Sequence, residues 1–194
     1  MDAMDGLEVR ACERCRDLCA SRSRIVNGTG PADADLLFVG EAPGEQEDRE
    51  GEPFVGRSGD VLGEALRANG LGRADVRITN CVRCRPPDNR DPTGEELANC
   101  RGYLEAEVAR VDPVLLVALG KVPAEHLLER SVAITGEAGD VVRAELGGET
   151  RDVLLSVHPA ATLYDPGQRE SFERAIERSA TMAGSGDQAT FGEF

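Results

Sequence analysis

The sequence predicts an α/β protein, a three-layer α/β/α sandwich around a short, mainly parallel sheet of four strands. Three observations predict it: four short apolar runs recur along the chain, helical patterns separate them, and two of the runs are apolar without interruption. Uninterrupted runs suit strands buried on both faces, as parallel strands covered by helices are. Strands alternating with helices belong to that class.

The first run, ADLLFVG (34–40), reads as a buried strand. Next comes a glycine-rich loop, and then SGDVLGEALRANG (58–70) places apolar residues at helical spacing, with Gly70 as its stop. DVRITN (75–80) is the second strand. In TGEELANCRGYLEAEVARV (93–111), Thr93 and Glu96 have the spacing of a capping box, so a helix starts there. PVLLVALG (113–120) is the third strand, and KVPAEHLLER (121–130) the helix after it. RDVLLSV (151–157) completes the four, with VVRAELGG (141–148) able to pair with it as an extra hairpin. A last helix is expected over 168–180. One domain therefore spans 1–180, and the polar, glycine-rich residues 181–194 are expected to be a disordered tail.

The 194 residues suffice for one domain with a full core. The net charge is -14 and Lys121 is the single lysine. Such a chain repels nucleic acid and anionic membranes at long range. Acid-rich, lysine-poor composition also suits a salty cytoplasm, where molar salt screens charges within about 3 Å. A halophilic source is expected, and in such salt the charge does not exclude DNA. No apolar run approaches a membrane span. The opening MDAMDGLEVRACERC has no apolar signal core, so a cytoplasmic monomer with no membrane partner is expected. In that reducing compartment the six cysteines read as metal ligands or buried thiols.

Ligands of open parallel sheets sit beyond the carboxyl ends of the strands. There the sequence places Gly40 and Glu41, Asn80, Gly120, and finally His158 with Pro159. Asn80 offers an acceptor and donors side by side, matching the edge of a base, although an asparagine can equally cap a turn. A neutral imidazole at His158 can donate a proton to a developing oxyanion, or be a satisfied core group. His126, beside Leu127 and Leu128, reads as structural or superficial. The loop GEAPGEQEDREGEPFVGRSG (40–59) holds five glycines, two prolines and one aromatic, Phe54. It is neither a phosphate loop nor a dinucleotide fingerprint, and its glycines let backbone N–H groups approach a ligand closely. Among the cysteines, Cys12 and Cys15 can join Cys84 and Cys100 around zinc or a [4Fe–4S] cluster, or join Cys81 and Cys84 as a zinc ribbon. Several inert buried thiols are the remaining alternative.

GEAPGEQEDREGEPFVGRSG, TNCVRCRPPDNRDP and SVHPAATL, together with the paired cysteines, resemble the family 4, iron–sulfur uracil-DNA glycosylases over about residues 8–180. The resemblance implies that fold, and a structural [4Fe–4S] cluster on Cys12, Cys15, Cys84 and Cys100, with Cys19 and Cys81 matching no ligand. It implies that Phe54 stacks on a flipped uracil, that Asn80 reads its Watson–Crick edge, and that Glu41, Ala42 and Pro43 line the pocket. Glu47 shapes the side facing C5. His158 donates to uracil O2 as the N-glycosidic bond breaks, helped by backbone N–H groups of the first motif. Related glycosylase families carry an aspartate where this chain has Ala42, which leaves Glu41 as the implied residue to orient water.

Uracil-containing DNA, single- or double-stranded, is the implied partner, with a sliding clamp as a further candidate at the tail. Leu163 is the implied wedge, and Tyr164 stands where arginine is usual. Arg83, Arg85 and Arg90 form a basic cluster that could meet phosphates. A covalent-trapping subgroup has a basic insert after the second strand that is missing here, so turnover is expected. The activity implied is hydrolysis of uracil from DNA at the start of base excision repair. The alternative is a non-catalytic iron–sulfur module for nucleic-acid binding or electron transfer. A zinc deaminase would need H-x-E before P-C-x-x-C, and the sequence has none.

Overall fold

The structure is a computed structural model and describes residues 3–186. Five strands make the central sheet: β3 (Leu36–Gly40), β4 (Arg77–Asn80), β5 (Leu115–Leu119), β6 (Val141–Leu146) and β7 (Glu149–Ser156), in the order β4-β3-β5-β7-β6. The first four in that order are parallel, and β6 runs antiparallel to β7 at the edge. The sheet thus has five strands where four were expected, because the 141–148 segment does pair with the last strand. Its burial alternates, as a half-covered edge requires.

Successive residues of a strand face opposite sides, and the core splits accordingly. Leu37, Val39, Leu116 and Ala118 meet α4 (Gly94–Val111) and α5 (Lys121–Leu128) through Leu104, Val108, Ala124 and Leu127. Leu36, Phe38, Leu115 and Val117 face the other way, against Leu62 and Leu66 of α3 (Arg57–Ala68) and Phe172 and Ile176 of α7 (Pro166–Gly186). This is the three-layer sandwich. Helix α4 starts at the capping box: Thr93 Oγ1 accepts from the Glu96 N–H at 3.2 Å, and the Glu96 carboxylate accepts from the Thr93 N–H at 2.7 Å.

Two features depart from expectation. A hairpin of β1 (Ala3–Asp5) and β2 (Glu8–Ala11) precedes α1 (Arg16–Ser21), and Val9 buries itself beside Val82, Cys100 and Tyr103. At the other end α7 continues to Gly186, past residue 181 where the tail was expected, because Met182 and Ala183 still pack on the core. The rest of that tail, and any clamp contact it makes, lies outside the described residues. No helix among them is long and apolar enough to cross a membrane.

Candidate active site

A cavity of about 280 Å³ opens beyond the carboxyl ends of the sheet strands, lined by Glu41, Ala42, Gly44, Glu47, Phe54, Ser58, Asn80 and His158. It lies on the rim where the strand ends place their polar residues. Gly40 and Asn80 are partners in register on β3 and β4, and their side-by-side ends form its floor.

Phe54 reaches this floor through an uncommon backbone state, with φ at +56°. A non-glycine residue there costs on the order of 1–3 kcal/mol unless its surroundings impose it. They do so from two sides. The Arg73 guanidinium donates to the carbonyls of Pro53 at 2.7 Å and Phe54 at 3.0 Å. Gly59 also lies so close that a Cβ on it would meet the Phe54 carbonyl oxygen at 1.7 Å. The ring is therefore buried yet aimed into the cavity, 6.0 Å from the His158 ring and tilted 30° to it.

Glu47 gathers the same loop. Its Oε1 accepts from the N–H groups of Val55 (3.0 Å) and Gly56 (2.9 Å), and its Oε2 from Gly44 (3.1 Å). It sits at the third position of α2 (Glu45–Glu50), where the Gly44 bond also caps the helix. Of the backbone donors expected to face a ligand, these three are thus occupied by a carboxylate.

His158 follows β7 and begins a short 3-10 turn (Pro159–Leu163). Its Nδ1 accepts from the Ala160 N–H at 3.1 Å, which places the ring proton of the neutral form on Nε2. Burial lowers its pKa, favouring that neutral form. Gly120 supports the ring from behind, since a Cβ there would lie 3.2 Å from His158 Cβ. Asn80 is buried, and among the described residues its carboxamide has no hydrogen-bond partner. The same holds for His158 Nε2. A donor on one side and a donor–acceptor pair on another thus face a hollow with an aromatic wall.

Glu41 stands at the cavity edge, half-buried. Burial, the Asp91 charge and a hydrogen bond shared with the Asp91 side chain push its carboxyl up to about 7. Two carboxyls can share a hydrogen bond only while one is protonated. Asp91 was not among the candidates, although it lies in the TNCVRCRPPDNRDP stretch. Its loop is fixed by Arg90, which grips the Glu96 carboxylate through two bonds of 2.8 Å. Ser58, also missed, had no signal beyond its position in the first motif.

These geometries coincide with a family. Residues 27–180 match the Uracil DNA glycosylase superfamily. The chain is 38% identical to the Type-4 uracil-DNA glycosylase of Archaeoglobus fulgidus, with 98% of each chain covered. It is 42% identical to that of Thermotoga maritima over 80% of this chain and 79% of the relative. A Type-5 uracil-DNA glycosylase from Thermus thermophilus is more distant, at 34% over 61% of this chain. The chain belongs to the type-4 uracil-DNA glycosylases.

Within this type-4 fold the remaining candidates separate. Leu163 and Tyr164 end the turn that starts at His158, and both are exposed, Tyr164 by 79%. Pro43, expected to line the pocket, is buried and is not among the residues lining the cavity. Arg83 requires a correction. It is 2% exposed, and its guanidinium donates to Glu107 Oε2 (2.7 Å), Asn27 Oδ1 (3.0 Å) and the Tyr103 carbonyl (3.4 Å). Arg77 and Thr79 hold the same Glu107 at 2.7 and 2.8 Å. Arg83 thus neutralises a buried carboxylate and cannot reach a phosphate. Arg85 and Arg90 both remain partly exposed, Arg90 tied to Glu96 by two bonds and Arg85 held by Asn89 at 2.7 Å and loosely by Glu45 at 3.6 Å.

The cysteines of this family member divide in the same way. Cys81 is 1% exposed in the core with Val39 and Leu104, which removes it from a zinc-ribbon quartet. Burial pushes Cys100 up to about 11, with Cys84 and Cys12 near enough to add to the shift. Burial also raises Cys15, whose sulfur receives the Asn99 amide at 3.6 Å and which lies near Cys12. Cys12, Cys15, Cys84 and Cys100 therefore form one neighbourhood between the N-terminal segment, the loop after β4 and helix α4, and Cys19, expected to match no ligand, lies in it too, its thiol donating to the Cys12 carbonyl at 3.5 Å. His126 lies elsewhere, half-buried on α5, and burial lowers its pKa to about 4.

Proposed function

We infer that this chain hydrolyses the N-glycosidic bond of uracil in DNA, releasing uracil and leaving an abasic site for base excision repair. The observation that carries the reading is the convergence of Phe54, Asn80 and His158 on one hollow, with the Asn80 carboxamide and His158 Nε2 unpartnered among the described residues. Phe54 stacks on the extruded base. Asn80 accepts from N3–H and donates to O4; cytosine reverses both roles, and mispaired donors in a buried site cost about 1–3 kcal/mol. Breaking the bond leaves negative charge on the base, and the His158 Nε2–H donates to O2 as that charge grows. Glu41 orients the water that captures the sugar, and Glu47 keeps the loop folded around the base. Ala42 lines the hollow, Leu163 enters the stack that the nucleotide vacates, and Arg85 meets a phosphate.

Cys12, Cys15, Cys84 and Cys100 fit a [4Fe–4S] cluster. Their sulfurs are neighbours, and cationic and amide donors point at two of them. Among the described residues no group of His, Cys, Asp or Glu could hold a metal ion. A [4Fe–4S] cluster takes one thiolate per iron, which four cysteines from two distant stretches of chain can supply. When bound, the cluster supplies a covalent cross-link between the N-terminal segment and the loop after β4. The acidic composition supports work at high salt.

The deciding experiment incubates the protein with a uracil-containing oligonucleotide across a salt series, followed by alkaline heating. Strand scission at the uracil position is expected, persisting into molar salt. Intact strand at every salt concentration would favour the iron–sulfur binding or electron-transfer module.

A further inference from the structure

We propose that Arg22 clamps the two halves of the thiolate cage together and raises the electron affinity of the cluster held there, an inference that rests on the cluster reading above. Arg22 is the C-cap of α1. Its Nη1 donates to Cys84 Sγ at 2.9 Å, and its Nη2 to the Cys12 carbonyl at 2.6 Å. One planar fork therefore joins the first ligand of the N-terminal segment to a ligand 62 residues along the chain from Arg22.

What surrounds Arg22 says which charge it answers. Arginines 77, 83, 90, 101 and 130 all pair with carboxylates within 4 Å. Arg22 is half-buried and, among the described residues, has no carboxylate partner. A cation drawn partly out of water gains most from a charged acceptor, and a neutral thiol is a weak one. The anion that the geometry offers is Cys84 sulfur as a thiolate, which ligation by iron would maintain. The Asn99 amide near Cys15 is the neutral, longer counterpart.

Hydrogen bonds to cluster sulfurs are among the factors that set reduction potential. A charged donor stabilises the state with more negative charge, so Arg22 favours the cluster that has accepted one electron. The planar fork, binding sulfur and carbonyl together, also resists separation of the two ligand segments.

The test uses the full chain and the variants Arg22→Gln and Arg22→Lys, purified without oxygen. Iron per chain is measured first, then the midpoint potential by titration with dithionite as electron donor, then the rate of iron loss to a chelator. Arg22→Gln is expected to shift the midpoint to lower potential and lose iron at least tenfold faster than wild type. Arg22→Lys keeps the charge but not the fork, so it should recover much of the potential and little of the retention. If Gln fails to fold, the Lys variant alone decides through that split. Unchanged potential together with unchanged iron loss would overturn the proposal. A wild-type protein without iron would instead overturn the cluster reading on which it rests.

Discussion

The edge of the Phe54 ring rests on Gly40: a Cβ on that glycine would lie 2.5 Å from Cε2 and 2.6 Å from Cζ, and 2.4 Å from Asn80 Oδ1. One missing methyl group thus allows the Phe54 ring and the Asn80 carboxamide to share a floor. Gly40→Ala must displace one or both, an overpacking that costs about 1–3 kcal/mol. We expect KM for uracil-DNA to rise at least tenfold. Gly94→Ala, at the exposed start of α4 with open space around it, should leave the kinetics unchanged. Steady-state assays of both variants provide the check.

Removing the donor on His158 should act on the chemical step. His158→Ala is expected to lower kcat by about 10²–10³-fold, as loss of one preorganised oxyanion donor does. KM should change much less, because the interaction strengthens only as charge develops. Single-turnover rates at saturating enzyme measure this directly, and wild-type rates would remove His158 from the mechanism.

The carboxyl of Glu41 changes charge at about pH 7. With the carboxylate orienting water, kcat/KM rises as pH increases through that value. Asp91→Asn removes a negative neighbour, so Glu41 ionises more easily and the rise moves to lower pH. Stability runs the opposite way. The folded pKa lies above the ordinary 4.5, so the contribution of Glu41 to stability is present below about pH 4.5 and lost as pH rises through about 7. Glu41→Gln should therefore flatten the melting temperature over this window, and paired pH profiles of rate and melting test both signs.

Arg83 and Arg85 should separate cleanly. Arg83→Ala leaves Glu107 buried with one cation fewer, which costs about 3–5 kcal/mol and should appear in denaturant unfolding. Arg85→Ala should leave stability within about 0.5 kcal/mol and reduce the salt dependence of DNA binding. A salt-slope change for Arg83→Ala at wild-type stability would contradict its buried position.

Tyr164 offers an exposed ring beside Leu163, the proposed wedge. Tyr164→Ala is expected to weaken binding to uracil-containing duplex by about 1–3 kcal/mol, the value of one base stack, with the salt slope unchanged. Fluorescence of 2-aminopurine placed opposite uracil reports the contact. Equal quenching by wild type and variant would show that the ring does not stack there.

The sheet was legible because β3 and β5, buried on both faces, are written as unbroken apolar runs. The β1–β2 hairpin was not, since AMDGLEVRA is polar and buries only Val9 of its second strand. Gly40, Asn80 and His158 were readable as strand ends, and Phe54 as the lone aromatic of a glycine-rich loop, which also joins the core around Leu62 and Leu66. Arg83 was misread because its partner lies on another element. A signal did exist: Glu107 falls in the stripe Cys100, Tyr103, Leu104, Val108, Val111, the inward face of α4, where an unpaired acid could not stand. Asp91 left no such trace, because its meeting with Glu41 depends on where a loop turns.

Adjacent side chains on α2 face opposite duties. Glu47 gathers the loop that carries Phe54, while Asp48 accepts from the backbone N–H groups of Ser23 and Arg24, immediately after Arg22. Six residues are too few to persist as a helix alone, so α2 is ordered only from its two flanks. It acts as a shared hinge pin: whatever loosens the backbone at Ser23 and Arg24 also slackens the loop that carries Phe54.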